Sequence, residues 1–195
     1  MEERQPTTPT WDATQVRILD AADELLIRRG VHGVTIAELS RRSGLSRPTL
    51  YRHWNDADDV VRSALLRRVT VILESFPEPA GRRGDLVDDV LRFSALFHAD
   101  PVYAHLLADE PEAFTRYTLQ RVGSSQTMIL AWLAASITAA QRGGSVRRGD
   151  ARAIAVMTLL IAQSAVLSQG TVAALIDDAT WESELRAALD GHLRP

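Results

Sequence analysis

The 195-residue sequence predicts an all-α fold of about nine helices, and three observations carry that reading. Apolar residues recur at spacings of three and four along most of the chain. No segment sustains strand-like alternation, and no Asn-Gly or Asp-Gly hairpin joins two alternating runs. Capping residues, glycines and prolines punctuate the chain where helices would start and stop.

Composition sets the class. Hydrophobic residues make up 46% and charged residues 24%, the balance of a soluble chain able to bury a core. Cysteine is absent, which excludes disulfides, thiolate metal sites and a cysteine nucleophile. All 22 basic residues are arginine, a side chain suited to phosphate and guanine. No run approaches the ~20 apolar residues that span a bilayer, and the polar N-terminus does not read as a signal peptide. A cytoplasmic protein with no membrane partner is expected.

Residues 1–10 are polar, carry two prolines and read as a mobile tail. The alternative is an arm entering a minor groove, with Arg4 as its one cation. Trp11 to Arg29 is the first helix: Val16, Leu19, Ala22 and Leu26 form its stripe, Ile18, Ala21 and Leu25 widen it, and Gly30 ends it. Thr35 caps the second. Glu38 stands where its carboxylate would complete a capping box, with Val34 and Leu39 as the hydrophobic staple. Gly44 takes the left-handed conformation that stops this helix. Ser46 caps the third, with Pro48 in the first turn, where a missing N–H is tolerated. Ile36, Leu39, Leu45, Leu50 and Trp54 face inward, Trp54 as a core plug.

Asp56 caps the fourth helix, Asp58 and Asp59 complement its dipole, and apolar residues from Val60 to Phe76 carry it to Pro77 and Pro79. Residues 77–84 form a loop. Asp85 caps a helix through Ala99, Asp100-Pro101 starts a short one, and Pro111 to about Gln141 is one long helical stretch disturbed at Gly123. Residues 143–149 read as a flexible connection. Asp150 to about Ser168 is a strongly apolar helix that Gly170 weakens or breaks, with a turn or two over 171–176. Thr180 caps the last helix.

The stretch from Thr35 to Trp54 concentrates the chemistry. Two capped helices joined by Gly44-Leu45-Ser46 make a helix-turn-helix. From Arg28 to Trp54, six arginines (28, 29, 41, 42, 47, 52) stand against Glu38 alone, a local charge of +5 in a chain of net −3. Such a patch attracts backbone phosphates and gains by releasing their counterions. Basic, hydroxyl and aromatic donors share the outer side of one short helix, which favours a DNA reader over an ordinary helical hairpin.

Residues 15–66 resemble the DNA-binding domain of TetR-family transcriptional regulators, most specifically in TIAELSRRSGLSRPTLYRHW. The resemblance implies an N-terminal three-helix DNA-binding domain (residues 11–55) and a C-terminal helical ligand-binding and dimerisation domain (56–195). It implies double-stranded DNA as partner and DNA contacts from Thr35, Arg42, Ser46, Arg47, Pro48, Thr49, Tyr51, Arg52 and His53. Arg47 is the candidate for guanine, and Thr35, Tyr51 and Arg42 for phosphates. Many members carry a phosphate-touching lysine near the start of the fourth helix. Ala57 stands there in this chain, which shifts the burden to the other contacts.

A single helix-turn-helix grips few base pairs, whereas two modules about 34–36 Å apart read a palindrome. A homodimer through the C-terminal helices is therefore expected, a reading the apolar faces of residues 150–168 and the stripe Trp181, Leu185, Leu189, Leu193 permit. Phe93, Phe97, His98, Tyr103, Tyr117, Met128 and Trp132 are candidates to line a pocket for an unknown small-molecule effector, with core packing as the alternative for each. In the family such a ligand releases DNA, which makes repression the default. His98 and His105 are separated by Asp100-Pro101, so no metal site is expected, and no cofactor is implied. Neither a phosphate-binding P-loop nor a G-x-S-x-G elbow occurs, so an enzyme is not expected. The remaining rival is a ligand- or protein-binding helical module without effective DNA binding.

Overall fold

The computed structural model describes residues 9–76, 78–119 and 122–195. Most of the expected tail, residues 1–8 with Arg4, lies outside them. Among the described residues there are ten α-helices, a 3-10 turn at Val31–Gly33 and no strand. The helices are α1 Ala13–Arg29, α2 Ile36–Ser43, α3 Arg47–Tyr51, α4 Ala57–Leu73, α5 Arg83–Ala99, α6 Pro101–Asp109, α7 Pro111–Leu119, α8 Ser124–Arg142, α9 Ala151–Val172 and α10 Asp178–Leu193. They group by contact into two compact units, one of the chain up to Val71 with His98–Gln126, the other of Ile72–Phe97 with Thr127–Pro195.

In the first unit, α1 begins after Asp12, two residues beyond the expected Trp11. Asp12 accepts the Gln15 N–H at 2.8 Å, and Gln15 Oε1 accepts the Asp12 N–H at 2.9 Å, a complete capping box. The box expected at Thr35 is only half formed. Thr35 Oγ1 accepts the Glu38 N–H at 3.2 Å, but the Glu38 carboxylate turns to Arg41 and lies 3.6 Å from Arg29. A charge-assisted bond to guanidinium outcompetes one to a neutral N–H. Ile18, Leu19, Leu25 and Leu26 are fully buried, while Val16, placed in the stripe from spacing, sits at the exposed edge. α1 packs on α2 and α6.

An ion cluster ties three helices together. The Asp23 carboxylate on α1 accepts from Arg67 at 2.6 Å and Arg68 at 3.0 Å, both on α4. Arg67 also holds Asp20, and Arg68 reaches Asp100, the N-cap of α6, at 2.8 Å. Buried Tyr103 on α6 donates to the Leu65 carbonyl at 2.7 Å and packs on Phe114, ring centres 5.8 Å apart. Glu110, beyond α6, accepts the Val31 N–H at 2.7 Å. Its carboxylate leaves no room for a side chain at Gly30, where an added Cβ would stand 2.0 Å away. Glycine there meets both this approach and a φ of 63°.

The second unit buries Leu86, Val90, Leu133, Ile137, Ile154, Leu185 and Leu189 in one core. α5 starts at Arg83, before the expected cap Asp85, because Ser145 Oγ accepts the Arg83 N–H at 2.6 Å and the Arg82 carbonyl accepts from Leu86. The 143–149 connection is pinned rather than free: Val146 is buried, and Arg147 donates from its backbone N–H to Leu193 O and from Nε to His192 O, both at 2.9 Å. α7 and α8 are separate, so the helices number ten rather than nine. Gln126 helps set the break by accepting the Gly123 N–H at 2.9 Å. α4 ends at Leu73, short of Phe76.

α9 runs through Gly170 to Val172, since one interior glycine costs only about 1 kcal/mol. Its 22 residues are long and apolar enough by composition to cross a membrane, whereas the sequence expectation of a helix ending near Ser168 stops short of that. The cap of α10 is Asp177, which accepts the Thr180 N–H at 2.7 Å, so Thr180 lies inside the first turn.

Asp23→Ala should destabilise the protein by about 3 kcal/mol, the low end for a broken buried pair, because Asp20 and Asp100 still hold part of each guanidinium. Urea unfolding measures it, and a loss below ~1 kcal/mol would reduce the cluster to a surface ion pair. Gly44 has φ 68° and ψ 19°, so Gly44→Ala should cost about 1–2 kcal/mol in the same assay.

Candidate nucleic-acid interface

The helix-turn-helix is held by its ends. Thr35 caps α2, Gly44 closes it by donating its N–H to Ser40 O at 3.0 Å, and Ser46 caps α3 by accepting the Thr49 N–H at 3.3 Å. Leu39, Leu50 and Trp54 are buried, as their spacing predicts; Ile36 and Leu45 are half-buried. Trp54 donates from Nε1 to Ser63 Oγ at 2.8 Å, which fastens the end of the α3 segment to α4. Helical bonding persists past Tyr51, with Trp54 N–H on Leu50 O at 3.0 Å.

This frame leaves Arg47, Pro48, Tyr51 and Arg52 exposed, with Tyr51 at 57% of its full accessibility. Thr49 is half-buried, its hydroxyl 2.8 Å from that of Ser46. Thr35 is exposed, but its oxygen is committed to the cap. His53 lies against Trp54 with ring centres 5.7 Å apart, and its Nε2 is shut away from solvent without a partner. Arg42 is half-buried and bonded to Glu24 at 2.5 Å.

Charge pairing sorts the arginines. Arg29 and Arg41 face Glu38, and Arg42 faces Glu24. Glu38 is held below its usual carboxylate range, chiefly by the hydrogen bond from Arg41 and further by Arg29 and Arg42. It therefore stays ionised and keeps Arg41 neutralised. Up to Trp54, Arg17, Arg28, Arg47 and Arg52 are the arginines with no carboxylate partner among the described residues. Arg17 escapes a reading of motifs because it lies on α1, far from Gly44 in sequence. Only the fold lays its guanidinium over the turn, 3.0 Å from where a Cβ on Gly44 would stand.

The start of α4 is acidic but engaged. Asp56 accepts the Asp59 N–H at 2.7 Å, Asp59 binds Arg62 and Asn55, and Tyr117 donates to Asp58 at 3.1 Å. Burial, and secondarily Asp58, push the Tyr117 hydroxyl up to about 12.

The candidate pocket residues divide between the two units. His98, Tyr103 and Tyr117 belong to the first, where Tyr103 is a core residue and Tyr117 is tied to Asp58. Phe93, Phe97, Met128 and Trp132 belong to the second. There Phe93 stacks on Phe97 at 6.3 Å and on Trp132 at 5.7 Å, with Phe76 5.3 Å from Trp132. The Trp132 Nε1 is buried and has no partner. Sequence reasoning missed Phe76, which it assigned to the end of α4. Among the described residues no three ligands group as a metal would need, and His105 instead pairs with Asp109 at 2.8 Å.

Residues 18–64 match the model of the family described as bacterial regulatory proteins, tetR family. An uncharacterized HTH-type transcriptional regulator of Mycobacterium bovis is 39% identical over 177 residues, covering 91% of this chain and 93% of that protein. Among solved structures, the transcriptional repressor QsdR of R. erythropolis superposes with a TM-score of 0.69 at 18% identity, covering 96% of this chain and 98% of that one. The transcriptional regulator FadR of Bacillus subtilis, in complex with stearoyl-CoA, gives 0.63 at 17% identity, covering 92% and 99%. The two structures share the fold, and the mycobacterial relative is similar in sequence across nearly its whole length. This chain belongs to the tetR family of bacterial regulatory proteins and is a DNA-binding transcriptional regulator.

Proposed function

We propose that the protein is a cytoplasmic repressor, not an enzyme, that holds a palindromic operator as a homodimer and leaves it when a small molecule binds. Residues 11–55 read the DNA, and residues 56–195 pair the subunits and take the ligand. The observation that carries this is the exposed, acid-free set Arg47, Tyr51 and Arg52 on one short, rigidly propped segment, in a chain whose neighbouring arginines are neutralised.

Arg47, next after the α3 cap, is the residue for a guanine edge, because the N-terminal residues of a recognition helix enter the major groove. Tyr51 and Arg52 anchor phosphates, and Ser46, Pro48 and Thr49 line the approach. Thr35 contributes through its cap. Arg42 is already satisfied by Glu24, and the buried Nε2 of His53 turns away from base edges, so both rank below Arg47. The reading without DNA binding is weakened because the carboxylates at the start of α4 are bonded rather than free.

The second copy would sit on α9 and α10. Val156, Met157 and Leu160 are exposed on α9, Leu160 by 49%, and an open apolar groove runs between α9 and α10 past Ile161, Ala165, Ile176, Trp181 and Leu185. A patch of this kind on a long helix marks an interaction surface. The effector would engage Phe76, Phe93, Phe97, Met128 and Trp132. An apolar molecule with one acceptor suits this set, since the Trp132 N–H is the one buried polar atom there without a partner. Such a ligand acts only if it binds the non-operator conformation more tightly.

Gel-shift titration against the DNA upstream of its own gene, across a salt series, tests DNA reading. Arg47→Ala should lose about 1–3 kcal/mol of discrimination between operator and mutated operator, whereas Tyr51→Phe should weaken all duplexes alike. No binding by the wild-type protein at any salt would favour a non-DNA module. Leu160→Arg should sediment as a monomer with an unchanged helical spectrum and lose operator affinity, and a persisting dimer would place the interface elsewhere.

A further inference from the structure

We propose that Arg17, on α1, is a phosphate-binding residue that clamps the DNA backbone beside the entry of α3; this rests on the DNA-reading proposal above. Three observations converge. The Arg17 guanidinium lies over the Gly44 turn, with Nη2 3.0 Å from an ideal Cβ at Gly44. The turn immediately precedes Ser46 and Arg47, and a helix entering the major groove N-terminus first brings a phosphate of the groove wall close to that turn. Finally, Arg17 is exposed and has no ion pair among the described residues, although Asp20 and Glu24 stand on its own helix. Those two carboxylates are occupied by Arg67 and Arg42. The fold thus neutralises the acids around Arg17 with other arginines and leaves this one charge at the turn.

The position also answers a local deficit. The start of α4 supplies Asp56, Asp58, Asp59 and Ala57, with Arg62 turned inward onto Asp59 and Asp56, so no cation there is available to a phosphate. Arg17 provides one from α1, where the first helix supports the reading unit.

The test uses the full chain and a random-sequence duplex as well as the upstream fragment, so it does not depend on finding the operator. Fluorescence anisotropy is recorded from low to moderate salt for wild type, Arg17→Gln, Arg17→Lys and Arg142→Gln. Arg142 is the control, an exposed arginine at the end of α8 in the second unit with no ion pair among the described residues. Losing one phosphate contact should cut the salt slope by about one per protomer, which is about eightfold in affinity per protomer at ~0.1 M salt and about three- to fourfold at ~0.25 M. Arg17→Gln should show this on both duplexes without altering base preference, Arg17→Lys should restore most of it, and Arg142→Gln should leave the slope unchanged. Equal slopes for Arg17→Gln and wild type, or equal losses for Arg17→Gln and Arg142→Gln, would overturn the assignment while leaving the role of Arg47 intact. Absence of salt-dependent binding by the wild type would overturn both.

Discussion

The reading unit depends on one shared carboxylate. Asp23, on the buried side of α1, is held by two adjacent guanidiniums of α4, and each of these is also held by a second acid. Asp20 and Asp23 come from α1 and Asp100 from α6, so the cluster fixes α1, α4 and α6 to one another. The apolar contacts around it supply most of the free energy, because burial is non-directional and scales with area. The ion cluster adds direction. It sets the rotation of α4 against α1, and α4 in turn carries Ser63, the acceptor for Trp54 at the far end of the recognition segment.

The same pairing governs function. Arginine is always charged, so each one in the unit must be matched by an acid, by solvent or by a phosphate. Glu38, Glu24, Asp20, Asp23, Asp59 and Asp100 account for Arg41, Arg42, Arg67, Arg68 and Arg62. Those arginines hold the scaffold. The ones without a carboxylate are exposed, and the cost of leaving them so is small in water. Composition alone cannot separate the two groups: between Arg28 and Trp54, paired Arg41 and Arg42 count toward the local +5 just as unpaired Arg47 and Arg52 do.

Local signals were legible in the sequence. Thr35, Gly44, Ser46 and Trp54 each act through neighbours a few residues away, and each behaves as its type and position dictate. Competition between two local partners, and partners distant in the chain, were not legible. Glu38 had to choose between its own cap and Arg41, Arg42 found Glu24 on α1, and Glu110 reached back to Val31. A sequence shows which charges exist but not which meet. Helix limits failed for a related reason: Ser145 from a distant loop satisfies the first turn of α5, so Asp85 is not needed as its cap. Gly170 illustrates the opposite error, since a small intrinsic penalty was read as a boundary.

The glycines at 30 and 44 show why α1 is more than a prop. At each, the absent side chain is filled by a charged group from elsewhere: the Glu110 carboxylate at Gly30, the Arg17 guanidinium at Gly44. The first ties the corner after α1 to the segment beyond α6 through the Val31 N–H. The second sets a cation of α1 on the turn before α3. Any movement of α6 relative to α1 must therefore either break the Glu110 bond and the Arg68–Asp100 pair or carry α1 along. If α1 is carried, Arg17 and the turn go with it, because both belong to the same rigid packing of α1 on α2. A displacement of α6 that carries α1 would thus move the Arg17 guanidinium and the turn before α3 together. Such a movement is a small rigid-body shift, without unfolding of the helix-turn-helix.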